Sequence, residues 1–384
     1  MSSEQSANQE PTQVRGVLEV LGSGSGFLRS AANGFQAADG DIFVPQSLIR
    51  RFSLRTGDAV DGMAGSAPPG RGKSPPLISL ETINGDDPEL AHGRPDFGSL
   101  PASYPDERLV LEGAGVNGRN DHTNRVIDLI APLGKGQRAL IVAPARAGKT
   151  ILLQSILMGI HKNYPEAVLL VLLVDERPEE VTEMEMLGVG EVISSSFDCP
   201  AERHVAAAEM VLEHARRQVE SGKDVVIVLD SLTRLARAYN TSERGSGKLL
   251  SGGIDASALE KPKRFFGSAR KVRDGGGGSL TIIATALIDT GSRGDEVIFE
   301  EFKGTGNSEI VLDRDIADRR IYPAINVDRS ATRRDDLLLP EGSVDKVHQL
   351  RRALHSLPAE DAVQLLLKQM GDTRSNEELL SKLR

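Results

Sequence analysis

The stretch Ala139-Leu-Ile-Val-Ala-Pro-Ala-Arg-Ala-Gly-Lys-Thr-Ile-Leu-Leu-Gln154 decides the fold. Its opening aliphatic run predicts a strand buried on both faces, and the residues from Ile151 predict a helix. Between them a run of small residues ends in Gly148-Lys149-Thr150. Small residues let backbone N–H groups converge on phosphate oxygens, a lysine here reaches the β- and γ-phosphates, and a hydroxyl ligates Mg²⁺. Ala143 stands where the usual pattern has its first glycine. The identification as a phosphate-binding loop therefore rests on the strand, loop and helix context.

Two further aliphatic runs end in carboxylates. Asp224-Val-Val-Ile-Val-Leu-Asp230 predicts a buried strand whose last residue can hold Mg²⁺ beside Thr150. Asp230 or Ser231 could equally cap the following helix. Val168 to Val174 runs into Asp175-Glu176-Arg177-Pro178-Glu179-Glu180. Ligands gather at the carboxyl ends of such strands, so Glu176 is the candidate base for an attacking water. Pro178, Glu179 and Glu180 suit a helix N-terminus instead. Val192 to Ser195 and Leu280 to Ala286 add two more strands, and Glu202 to Gly222 reads as an amphipathic crossover helix. The pattern is α/β: a parallel sheet covered by helices.

The chain has 384 residues, enough for one large core and a smaller module. Aromatic residues are 4% with no Trp, so Leu, Ile, Val and Ala must build the core. Acidic residues outnumber basic ones by 55 to 46, which argues against general coating of a polyanion and makes any nucleic-acid site local. The single Cys199 excludes an internal disulfide and suits a reducing compartment, and the seven His have no evident chemical role. No run of apolar residues is long enough to span a membrane or serve as an export signal, so a cytoplasmic protein without membrane contact is expected.

Upstream, residues 1–12 are polar and predict a disordered tail. Short runs at Val17 to Leu21, Phe27 to Arg29, Asp41 to Val44, Asp58 to Gly62 and Leu77 to Ile83 predict a small all-β barrel over 13–86. The proline-rich, aperiodic stretch that follows predicts an extended linker over 87–124. The α/β domain, with helices at its C-terminal end, then occupies 125–384.

Four longer stretches carry a resemblance: DERPEEVTEM at 175–184, DSLTRLARAYN at 230–240, KPKRFFGSAR at 261–270 and EEFKGTGN at 300–307. They resemble the bacterial transcription termination factor Rho family, and the likeness runs from about Gly16 to the C-terminus. It implies a RecA-like P-loop ATPase domain behind an OB or cold-shock-like barrel. It further implies a homohexamer that hydrolyses ATP with Mg²⁺, translocates 5′ to 3′ on single-stranded RNA and releases transcripts from the RNA polymerase elongation complex.

By position, the resemblance puts Gly134, Lys135, Gly136, Gln137, Arg138 and Ala139 around the nucleotide, together with Arg146, Ala147, Gly148, Lys149, Thr150 and Ile151. Arg177 would lie nearby and Tyr322 against the adenine. Glu176 would be the catalytic base. Arg333 would be the arginine finger reaching a neighbouring subunit's ATP, with Arg320 at the same interface. Thr150 and Asp230 would hold the metal.

For RNA, the resemblance points to one pore loop with Lys248, Leu249, Ser251 and Gly252 and a second with Arg293. In the barrel, Phe27, Arg29, Asp41 and Phe43 match the RNA-contacting positions. Two aromatic positions are replaced by Ser25 and Ser74. A stacked base is worth ~1–3 kcal/mol, so weaker or altered primary RNA selection is expected. The helical segment that many family members carry before the barrel is expected to be absent. The basic run 261–273 could be an RNA face or a subunit contact.

Overall fold

Short alternating runs punctuated by turn residues curl into the N-terminal barrel. In the computed structural model, which describes residues 11–67, 74–113, 122–242, 250–273 and 277–383, five strands form one antiparallel sheet. These are β1 (Thr12–Val20), β2 (Gly26–Arg29), β3 (Ile42–Val44), β4 (Ala59–Ala64) and β5 (Leu77–Ile83), in the order β3-β2-β1-β4-β5. The Phe43 amide donates to the Pro75 carbonyl at 2.8 Å, so the two outer strands meet. The sheet wraps Leu18, Leu28, Val44, Val60 and Leu77, with Ile49 of α1 (Gln46–Arg51) packed among them.

β1 starts earlier than its apolar run. Thr12 already pairs with Ala64 of β4, because the backbone ladder does not require buried side chains. Only Pro11 and Thr12 of the expected tail lie within the described residues.

The segment after the barrel is not the extended connector its prolines suggest. It carries turns at Pro88–Ala91 and Phe97–Ser99 and the two-residue strands β6 (Ala102–Ser103) and β7 (Arg108–Leu109). Phe97, Leu100, Leu109 and Leu111 are buried. Scattered apolar residues anchor it although they follow no period. The buried Glu220 carboxylate accepts the Phe97 amide at 2.8 Å and pairs with Arg55 of the barrel at 2.6 Å. Helix α2 (His122–Ile130) begins before residue 125.

The large sheet takes up β9 (Arg138–Pro144), which follows β8 (Leu133–Gly134), then β10 (Val168–Glu176), β11 (Glu191–Ser196) and β12 (Asp224–Asp230). β13 (Arg270–Val272), β14 (Ser279–Ile288), β15 (Ser308–Val311) and β16 (Ala331–Thr332) join it, and β6 completes it by pairing with β13. The order is β11-β10-β12-β14-β9-β15-β16, parallel from β11 through β15. β15, absent from the sequence reading, is short and half polar.

Helices α3 (Lys149–Asn163) and α4 (Pro178–Met186) lie on one face, and α5 (Ala201–Glu220) and α6 (Leu232–Ser242) on the other. Along β10, Leu169, Val171 and Leu173 pack on the α3 side, and Leu170, Leu172 and Val174 on the α5 and α6 side. Strand alternation produces that division. Beyond these come α7 (Glu260–Gly267), α8 (Arg293–Lys303), α9 (Arg314–Asp318), α10 (Val344–His355), α11 (Ala359–Gly371) and α12 (Asn376–Lys382). Leu350, Leu366 and Met370 of the last helices join the α3-side core, where Arg125 donates to the Met370 carbonyl at 2.8 Å. Among the described residues no helix is long and apolar enough to cross a membrane.

Candidate nucleotide site and RNA-facing loops

β9 delivers the chain to the loop 144–148 and α3 takes it away, with Gly148 at a φ of 89° as the N-cap. That left-handed backbone favours glycine. Lys149, in the first turn, reaches across the C-terminal ends of two neighbouring strands. Its Nζ lies 2.6 Å from Asp230 Oδ1 on β12 and 3.2 Å from Glu176 Oε1 on β10. Thr285 of β14 donates its hydroxyl to Asp230 Oδ1 at 2.7 Å. Three strands therefore fix the two carboxylates around one ammonium.

Burial, and then the neighbouring Asp230 carboxylate, push the Glu176 carboxyl up to about 8, while Lys149 and Arg234 oppose the shift. For Lys149, burial works to lower the pKa, but Asp230 and Glu176 outweigh it and the net direction is upward. Carboxylate oxygens of Glu176, Glu180 and Asp230 lie within 4.8 Å of one another. Hard oxygen donors so arranged suit Mg²⁺, and Thr150 follows Lys149 in the first turn of α3 with a hydroxyl. Ser231 Oγ also accepts the Arg234 amide at 3.2 Å, so capping and carboxylate placement occur in the same turn.

Other expected nucleotide contacts divide into two groups. Tyr322 is close to the loop, since a Cβ on Gly148 would be 3.5 Å from its ring, and it is 45% exposed. Arg146, Ile151 and Arg177 are exposed beside the same strand ends, and Ala147 is buried beneath them. Gly134, Lys135, Gly136, Gln137, Arg138 and Ala139 lie at the other end of β9 and do not surround Lys149 of their own chain. The six steps from Arg138 to Pro144 cover about 20 Å at ~3.3 Å per residue. Lys135 pairs there with Asp224 at 2.6 Å and Glu107 at 3.1 Å. Arg333 is at that end too, its amide bonded to the Asn307 carbonyl at 2.8 Å, and its side chain is exposed. Arg320 is exposed in a left-handed turn with a φ of 61°.

The barrel brings its four expected RNA residues together. Phe27 and Phe43 sit edge to face at 5.7 Å on paired positions of β2 and β3. The Arg29 guanidinium is 5.1 Å from the Phe27 ring centre and ion-paired with the buried Asp41 and with Glu19. Ser25 lies just before β2, two residues ahead of Phe27.

Lys248 and Leu249 lie outside the described residues. Ser251 and Gly252 pack against the start of α8, where the close approach of Gly294 leaves no room for a Cβ on Gly252. The two loops that the sequence pairs by resemblance thus touch. Arg293 is exposed and has no ion pair among the described residues. Asp295, buried two residues on, is bonded to Arg237 Nε at 2.8 Å and to the Thr290 hydroxyl at 2.6 Å.

The basic run 261–273 is largely engaged within the chain. Lys261 pairs with Glu209, Lys263 with Glu301, Arg264 with Glu260, and Lys271 with Asp106 and Glu107. Arg270 lies over the Phe97 ring at 4.6 Å.

Sequence reasoning missed two residues of the site. Glu180, assigned only to a helix start, joins the carboxylate cluster. Arg234, one helical turn past Asp230, bridges Asp175 at 3.4 Å and Glu176 at 3.6 Å. An arginine four residues after a strand-terminal aspartate was the available signal.

Residues 14–89 match the Rho termination factor RNA-binding domain, and residues 123–332 match the nucleotide-binding domain of the ATP synthase alpha/beta family. A transcription termination factor Rho from Cereibacter sphaeroides is 54% identical over 368 residues, covering 96% of this chain and 86% of that protein. The chain belongs to the Rho termination factor family.

The Rho factor of Pseudomonas aeruginosa is also 54% identical, over 96% of this chain and 87% of its own. That of Gemmatimonas aurantiaca is 57% identical over 93% of the chain, which spans only 48% of the Gemmatimonas protein. Among solved structures, a prototypical ATPase of the type III secretion system matches with a TM-score of 0.61 at 22% identity, over 83% of this chain and 93% of that one. At that identity the likeness is one of fold. The chain joins an OB-like RNA-binding barrel to a RecA-like nucleotide-binding domain.

Proposed function

We propose that this protein is an RNA-stimulated ATPase motor that terminates transcription, acting as a homohexameric 5′ to 3′ helicase-translocase on nascent RNA in the cytoplasm. The observation that carries the reading is Lys149 held between Glu176 and Asp230 in a chain that also bears the RNA-binding barrel. ATP would lie along the loop 144–148 with Lys149 on its β- and γ-phosphates and Tyr322 beside the base. Mg²⁺, held through Thr150 and Asp230, would neutralise charge on those phosphates.

Glu176 orients a water in line with the γ-phosphate and accepts its proton as the new P–O bond forms and the bond to ADP breaks. A carboxyl raised by burial is matched to that task near neutral pH. Arg333, remote from its own Lys149, serves a neighbouring subunit's site, and Gly134 to Arg138 face the same junction. RNA is first captured on Phe27 and Phe43 and then passed to Arg293 and the 250–253 turn inside the ring.

The test is ATP hydrolysis with and without poly(C) in the parent, Glu176→Gln and Arg293→Ala proteins. Full stimulation is expected in the parent, reduced stimulation in Arg293→Ala and loss of turnover in Glu176→Gln. A parent indifferent to RNA would sink the motor reading, and full turnover by Glu176→Gln would remove the base assignment.

A further inference from the structure

The β10 strand does not alternate to its end. Leu169, Val171 and Leu173 face α3, so regular alternation would direct Asp175 toward Lys149 and turn Glu176 to the α5 and α6 side. The reverse is found: Glu176 reaches Lys149, and Asp175 pairs with Arg234 of α6. The ladder with β11 explains the exchange. Val174 pairs with Ser195 and Glu176 with the next residue, Ser196, leaving Asp175 as an extra residue. Asp175 has a φ of 57°. A one-residue bulge with its extra residue in left-handed backbone shifts everything beyond it to the opposite face.

The β11 side is consistent with this. Ser195 faces α5, where its hydroxyl bonds His204 Nδ1 at 2.7 Å, and Ser196, opposite Glu176, follows the other parity. Aspartate is one of the few residues besides glycine and asparagine that tolerate left-handed backbone. Here the Arg234 guanidinium also holds its carboxylate, and lies 3.6 Å from Glu176.

We propose that Asp175 is a positioning residue: its left-handed bulge selects Glu176, rather than Asp175 itself, as the carboxylate presented to the phosphate-binding lysine. A β-branched residue at 175 disfavours the left-handed backbone, returns the strand to regular alternation and turns Glu176 away from Lys149. Glycine or asparagine preserves the bulge without the negative charge. The inference rests on Glu176 being the catalytic base.

The experiment compares Asp175→Gly, Asp175→Asn and Asp175→Val in the full chain by RNA-stimulated ATP turnover. Thermal unfolding and equilibrium binding of a fluorescent ATP analogue accompany it. Asp175→Gly and Asp175→Asn should keep kcat within about threefold of the parent, and Asp175→Val should lose roughly 100-fold or more in kcat while still binding the analogue. If Asp175→Val does not fold, the milder Asp175→Ala is read in the same way, with a kcat loss of at least about tenfold. Overturning results are a folded Asp175→Val, or Asp175→Ala in its place, with near-parental kcat, or Asp175→Gly and Asp175→Asn variants as impaired as it. Should Glu176→Gln be fully active, the base assignment fails; should it be inactive while Asp175→Val is active, only the bulge inference fails.

Discussion

Arg333 and Lys149 of one chain occupy opposite ends of strand β9. The Arg333 amide is tied to Asn307, whose own amide bonds the carbonyl of Arg138 at the start of that strand. Lys149 follows its end. About 20 Å of β-structure separates them, more than an arginine side chain spans.

Arg333 should therefore act only between chains. Arg333→Ala is expected to lose roughly 10³-fold or more in ATP turnover while each chain still binds nucleotide. Mixing it with the equally inactive Lys149→Ala protein should restore measurable turnover, because some junctions regain an intact lysine and an intact arginine. Complete inactivity of every mixture would rule out sharing across a junction.

Glu176 sets an expected pH dependence. Its carboxyl is raised to about 8 by burial and Asp230, and the base must be ionised to take a proton. kcat/KM, which reports the free enzyme, should rise with pH and level off above about 8. A profile flat between pH 6 and 9, on the order of the range where this group titrates, would contradict the assignment.

Serine at position 25 removes an aromatic surface next to Phe27. Ser25→Phe should tighten binding of a short cytidine oligonucleotide by about 5- to 150-fold, the equivalent of ~1–3 kcal/mol per stacked base. Fluorescence anisotropy at fixed salt measures it, and unchanged affinity would mean that this face does not stack RNA.

Arg293 is the exposed cation beside the packed loop pair. Arg293→Ala should reduce RNA stimulation and lower the slope of log affinity against log salt by about 0.7, the loss of one single-strand phosphate contact. Barrel-only binding of a short oligonucleotide should be untouched.

His214 of α5 donates from Nδ1 to the Gly57 carbonyl of the barrel at 2.8 Å. Burial, as the largest cause, holds its pKa below 6.5. The folded state thus favours the neutral ring, and protons bind more readily to the unfolded chain. Stability present above 6.5 should fall as pH drops through that value toward the folded one. His214→Gln should flatten this part of the stability curve in urea titrations, and an unchanged slope would assign the acid sensitivity elsewhere.

Local periodicity made most of the architecture readable from the chain. All five barrel strands and the strands at 138–144, 168–176, 191–196, 224–230 and 279–288 coincide with their apolar runs to within a few residues, because burial imposes a pattern of two or an unbroken run. The extra reach of β1 to Thr12 escaped, since a backbone ladder rather than side-chain burial holds it, and the strand Ser308–Val311 escaped because only its last two residues are apolar, too short a run to read. The anchored segment 84–109 escaped too. Its apolar residues bind to three different cores and follow no single period.

Sequence alone determined which residue types could do chemistry here: a lysine and threonine after a glycine, carboxylates at strand ends, aromatics and an arginine on barrel strands. Those depend on covalent order and alternation. Tertiary structure decided which of them meet. Parallel pairing of β10, β12 and β14 put Glu176 and Asp230 around Lys149, with Thr285 bonded to Asp230, and one left-handed residue chose Glu176 over its neighbour. The length of β9 separated Gly134 to Ala139 and Arg333 from the lysine that follows it. Such relations arise from register and strand length between distant segments, which no local pattern encodes.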